Sequence, residues 1–82
     1  AKNVEKANKR DKAIRDLAIH YFKTNPNSTN AACAAEARDF LSSKANVRLY
    51  GPVPSISRLL KKVSGAKAIA LGILAMNANN GG

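Results

Sequence analysis

Val53-Pro54-Ser55-Ile56-Ser57-Arg58-Leu59-Leu60-Lys61-Lys62-Val63 is the stretch on which the reading of this chain turns. Ile56, Leu59, Leu60 and Val63 recur at i, i+3, i+4 and i+7, which predicts a short amphipathic helix with its apolar stripe on a core. Ser55, Ser57, Arg58, Lys61 and Lys62 fall on the other side. That side offers hydroxyls at the start and cations further along. A helix of this kind can enter a DNA groove, donate to phosphates and bring an arginine to a base edge.

Upstream, Ile14, Leu17, Ala18, Tyr21 and Phe22 keep the same spacing, which predicts a helix over about 3–24. Residues 1–10 are polar and basic, so this part reads as a frayed or extended first turn. Asn25-Pro26 stops the helix, because proline disfavours helical geometry in the residue before it. Asn27-Ser28-Thr29-Asn30 is a run of capping residues, and a second helix is expected from Ala31 to about Ser43. Cys33, Ala37, Phe40 and Leu41 form its narrow apolar stripe. Glu36 and Asp39 are expected to face Arg38 and Lys44 on the solvent side.

Lys44 to Pro52 reads as a loop whose Val47, Leu49 and Tyr50 tuck onto the core. A third helix is expected over about 53–64, opened by Pro54 and ended at Ser64-Gly65. Residues 66–76 are almost wholly apolar. They can form a fourth helix, for packing or for pairing with another chain, but are too short for a bilayer, which takes about 20 residues. Asn77 to Gly82 reads as a disordered tail. The expected fold class is therefore all-α: a three-helix helix-turn-helix bundle over 1–65, with a fourth C-terminal apolar helix.

Charge narrows the function. The 82 residues carry 14 Lys+Arg against 5 Asp+Glu, a formal charge of +9. All five acids lie before Phe40, while Lys44, Arg48, Arg58, Lys61, Lys62 and Lys67 follow with no acid among them. A one-sign field over half a small protein favours a polyanion, double-stranded DNA or a membrane surface. Lys9, Arg10 and Lys12 are weaker candidates for a basic N-terminal arm. The single cysteine, Cys33, allows no intramolecular disulfide, which fits a reducing compartment. It reads as a small core residue, and the lone His20 implies no metal site. No cofactor is implied.

The chain resembles the second, C-terminal helix-turn-helix subdomain of paired domains, as in Pax transcription factors. The likeness runs from about Lys12 to Val63. It rests on Tyr21-Phe22-Lys23-Thr24-Asn25-Pro26, on Glu36-Ala37-Arg38-Asp39-Phe40-Leu41, and on Val53-Pro54-Ser55-Ile56-Ser57-Arg58-Leu59-Leu60-Lys61. It is also similar to the second DNA-binding subdomain of mariner-type transposases, whose Asn-Pro-x-x-Thr signature matches Asn25-Pro26-Asn27-Ser28-Thr29. Relative to the paired pattern, about four extra residues lie between Pro26 and Glu36, and the loop before Val53 is slightly shorter.

The resemblance implies a homeodomain-like or paired-like unit whose recognition helix is 53–64. Ser55, Ser57 and Arg58 would face the major groove, and Lys61 and Lys62 the backbone. Pro54, Arg48 and Lys44 complete the candidate DNA-binding set. The expected protein is a transcription regulator of the nucleus, or of the cytoplasm or nucleoid in a prokaryote. Three alternatives stand beside it: the DNA-binding piece of a transposase, which uses the same residues, a homo- or hetero-oligomerisation module acting through 66–76, and, ranked last, membrane association. The five acids do not form a set suited to two-metal chemistry, so no enzyme is expected.

Overall fold

The computed structural model describes the backbone of residues 2–81 and the side chains of residues 4–78. Four helices follow one another: α1 (Lys2–Thr24), α2 (Asn30–Leu41), α3 (Lys44–Tyr50) and α4 (Ile56–Gly81). There is no strand among the described residues, and the chain is all-α as expected.

Each break between helices has a local cause. The Thr24 hydroxyl and the Asn25 side-chain amide both donate to the Tyr21 carbonyl, closing α1 ahead of Pro26. Thr29 caps α2, its Oγ1 accepting from the Ala32 N–H at 3.1 Å. Ser42 ends α2 by donating back to the Arg38 carbonyl, and Ser43 opens α3 by accepting from the Asn46 N–H. Gly51 ends α3 at φ 82°, in the left-handed region that glycine enters without steric cost. Ser55 caps α4, its Oγ accepting from the Arg58 N–H at 3.4 Å.

The core is drawn from three of the four helices. Ile14, Ala18 and Phe22 come from α1, Cys33, Ala34, Ala37 and Leu41 from α2, and Leu59, Val63, Ala66 and Ala70 from α4. Alanine at five of these eleven positions lets the helices approach closely. Phe22 is the largest buried side chain; Tyr21 meets its edge at 5.3 Å, and the Lys67 ammonium lies 5.3 Å from its ring centre. Lys67 also donates to the Ser28 carbonyl at 3.0 Å, so this cation ties α4 to the α1–α2 connection.

Three expectations give way. First, 44–50 is a helix, not a loop. Ser43 and Gly51 supply its start and stop, and the Asn46 amide anchors it to the Phe40 carbonyl at 2.7 Å. Its Val47 and Leu49 stay exposed, and only Tyr50 is half-buried.

Second, α4 runs unbroken through Ser64, Gly65 and Gly72 to Gly81. The division at residue 65 and the tail over 77–81 are thus one helix; Gly82 lies outside the described residues. Gly65 has no positive φ to cap a helix. Burial of Val63, Ala66 and Ala70 on either side continues the stripe across it, against a glycine cost of about 1 kcal/mol.

Third, Phe40 and Ile56 are not buried: they are 41% and 44% exposed. Phe40 packs its ring against Tyr50 instead, at 6.4 Å. Ile56 belongs to the first turn of α4, before the helix reaches the core. Leu59 and Val63 carry the stripe, with Leu60 half-buried.

Candidate nucleic-acid interface

α4 packs mainly on α1 and then on α2, which sets its first two turns beside the middle of α1. A cleft of about 280 Å³ opens along this seam, lined by Arg10, Asp11, Pro54, Arg58, Lys61 and Lys62. It adjoins a second of about 320 Å³ that shares Asp11, Lys61 and Lys62 and adds Arg15, Gly65, Ala66 and Ile69. The two make one trough with five cations, Arg10, Arg15, Arg58, Lys61 and Lys62, and one acid, Asp11.

The five cations are not equivalent. Lys62 Nζ lies 3.1 Å from Asp11 Oδ1, so it already has an ion-pair partner inside the fold. Arg10 donates through Nη1 to the Pro52 carbonyl at 3.1 Å, fastening the segment before α4 to α1. Its Nε stands 4.0 Å from Asp11 Oδ1; both atoms are shielded from solvent and neither makes an aligned hydrogen bond. Arg58, Lys61 and Arg15 are exposed and make no ion pair among the described residues. They are the cations with most to gain from an incoming phosphate.

The hydroxyls divide in the same way. Ser55 Oγ already accepts the capping N–H of Arg58, so it holds the helix start in place. Ser57 is exposed on the first turn with no such duty. Pro54 is half-buried and lines the clefts on both sides of the α4 start. The one facing α2 is lined by Arg38, Ser42, Val53, Pro54, Ser55 and Ile56. Arg38 thereby joins the basic surface. Glu36, Arg38, Asp39 and Lys44 are all exposed, as expected, and form no ion pair with one another; the described ion pairs all involve Asp11.

Lys44 and Arg48 stand elsewhere. They are exposed on α3, which packs on α1 and α2 but not on α4. The basic residues of α1 are also split. Arg10 and Arg15 line the α4 side, whereas Lys9 and Lys12 line a groove of about 250 Å³ on the α3 side, with Ala13, Asp16, Leu49 and Tyr50. Reading the sequence alone missed Arg15 and Arg38. The available signal was that Arg15 follows Asp11 at i+4, on the flank of the α1 stripe that α4 covers.

Cys33 sits wholly inside the core. Burial, with the Glu36 carboxylate adding to it, pushes its thiol up to about 11. It is therefore a neutral packing group at physiological pH, far from the thiolate that nucleophilic chemistry requires. No helix among the described residues is long and apolar enough to cross a membrane. Compared with known proteins, the chain matches no family model, no curated protein and no solved structure.

Proposed function

We propose that this chain is a DNA-binding module of helix-turn-helix type, in which α1, α2 and α4 form the trihelical unit and the first two turns of α4 enter the major groove. The observation that carries this reading is the trough along α1 and α4, where five cations surround a single carboxylate. Arg58 and Ser57 are the base-facing candidates. Lys61, Arg15 and, once released from Asp11, Lys62 meet phosphates. Ser55 and Arg10 hold the start of α4 in position. On this reading α3 belongs to the connection between the last two helices of the unit and does not enter the groove. The chain is then a binding module of a transcription regulator rather than an enzyme, acting on nuclear or nucleoid DNA.

The test is a titration of labelled random-sequence duplex DNA at several salt concentrations. Each phosphate neutralised contributes about 0.9 to the slope of log affinity against log salt, so three to four contacts give a slope of roughly −3 to −4. Salt-insensitive binding contradicts the reading.

One observation favours a second role. Beyond Ala70, α4 carries Leu71 and Met76 exposed, with Ile69 exposed one residue before it, and it has no charged residue after Lys67. Pairing of this stretch with another helix would bring a second module to the same DNA. Because Ala66 and Ala70 are core residues, cutting the chain at Gly65 would unfold it. The clean test is the solution mass of a Leu71→Glu, Met76→Glu variant beside that of the unaltered chain.

A further inference from the structure

α3 is unusual among the four helices in burying none of its side chains. Its caps hold it in place; Val47 and Leu49 look outward, and Tyr50 is half-buried against the core. Leu49 is 49% exposed and Val47 is close behind, and Phe40, just before α3, is exposed as well. Single exposed apolar residues on a surface need no explanation, but contiguous ones rimmed by charge mark interaction sites. Leu49 and Phe40 are linked through Tyr50, whereas Val47, two positions from Leu49, stands on another side of α3. Leu49 and Tyr50 line the groove against α1, and the Tyr50 ring reaches the Phe40 ring at 6.4 Å. Lys9 and Lys12 form the opposite wall, with Asp16 as the one acid.

We infer that the groove between α1 and α3 docks an acidic amphipathic segment of a partner protein, which seats a leucine or aromatic side chain on Leu49 and Tyr50 and places carboxylates against Lys9 and Lys12. The chemistry of the two walls selects this occupant. Duplex backbone could satisfy the lysines but has nothing to bury against Leu49; a single strand could stack a base on Tyr50, which the oligothymidylate comparison below tests. A small molecule is disfavoured by size: about 250 Å³, open to solvent, falls below the roughly 300–1,000 Å³ typical of ligand pockets. An amphipathic helix, by contrast, presents apolar anchors at i, i+3 and i+4 with charges between them. Its negative charge is drawn by a chain of formal charge +9.

The groove is separate from the α4 trough, so the two roles can be tested apart. Isotopically labelled full chain is titrated with a short synthetic peptide carrying Leu and Phe at helical spacing and Asp and Glu between them. The expected result is saturable amide shifts at Lys9, Lys12, Leu49 and Tyr50. Leu49→Asp should weaken the peptide roughly tenfold while leaving duplex DNA affinity and helical circular dichroism unchanged. Lys9→Glu with Lys12→Glu should weaken it comparably. Three results overturn the inference: a polyglutamate peptide that binds as tightly, peptide shifts confined to Arg58 and Lys61, or binding through these residues to phosphatidylserine vesicles or oligothymidylate in preference to the peptide.

Discussion

α1 is flanked by two basic grooves that differ in what lies between the charges. On the α4 side, Arg10, Arg15, Arg58, Lys61 and Lys62 surround Asp11, with Pro54, Gly65, Ala66 and Ile69 completing the lining. On the α3 side, Lys9 and Lys12 face Leu49 and Tyr50. The first offers a higher density of cations and hydrogen-bond donors, which suits a phosphate backbone. The second offers fewer charges beside exposed hydrocarbon, which suits an amphipathic peptide. Net charge says only that this chain attracts polyanions; the surroundings of each cation decide which polyanion each groove takes.

Changing each groove in turn tests the contrast, and the largest effect is expected at the start of α4. Replacing Arg58, Lys61 and Lys62 together by alanine should lower duplex affinity by at least about a hundredfold and flatten the salt slope by about 2–3, as read by anisotropy titration. Arg15→Ala alone should cost several-fold and reduce the slope by about 1. Asp11→Asn should act in the opposite direction. It frees Lys62 before DNA arrives, so affinity should rise about two- to fivefold with the slope little changed; an unchanged affinity would show that the Lys62–Asp11 pair costs binding nothing. The smallest effect is expected on α3: Lys44→Ala with Arg48→Ala should change duplex affinity by less than about threefold. A loss as large as that from replacing Arg58, Lys61 and Lys62 together would move the DNA face to α3.

Much of the fold was legible in the sequence because its signals are local. The 3.6-residue stripe of Ile14, Ala18 and Phe22, the Asn25-Pro26 stop and the Thr29 cap place α1 and α2 nearly as observed. α3 was missed because seven residues are too few for a periodic pattern, and its stability comes from Ser43, Asn46 and Gly51 rather than from burial. Gly65 suggested a stop because glycine's usual role at a helix end depends on a positive φ, which no sequence pattern displays. The packing that carries the helix past it is tertiary. The candidate site was legible where it lies on one element, as Ser57, Arg58, Lys61 and Lys62 do. Arg10, Arg15 and Arg38 reach it from other helices, and the capture of Lys62 by Asp11, 51 positions earlier, is visible only in three dimensions.

The central claim is that the trough between α1 and the first turns of α4 is the face that meets DNA. Amide chemical-shift mapping of the whole chain with a random-sequence duplex tests it most directly. The account predicts shifts concentrated on residues 10–15 and 54–62, weak elsewhere and fading as salt is raised. Shifts concentrated on 44–50 or on 69–76, with Arg58 and Lys61 undisturbed, would contradict it.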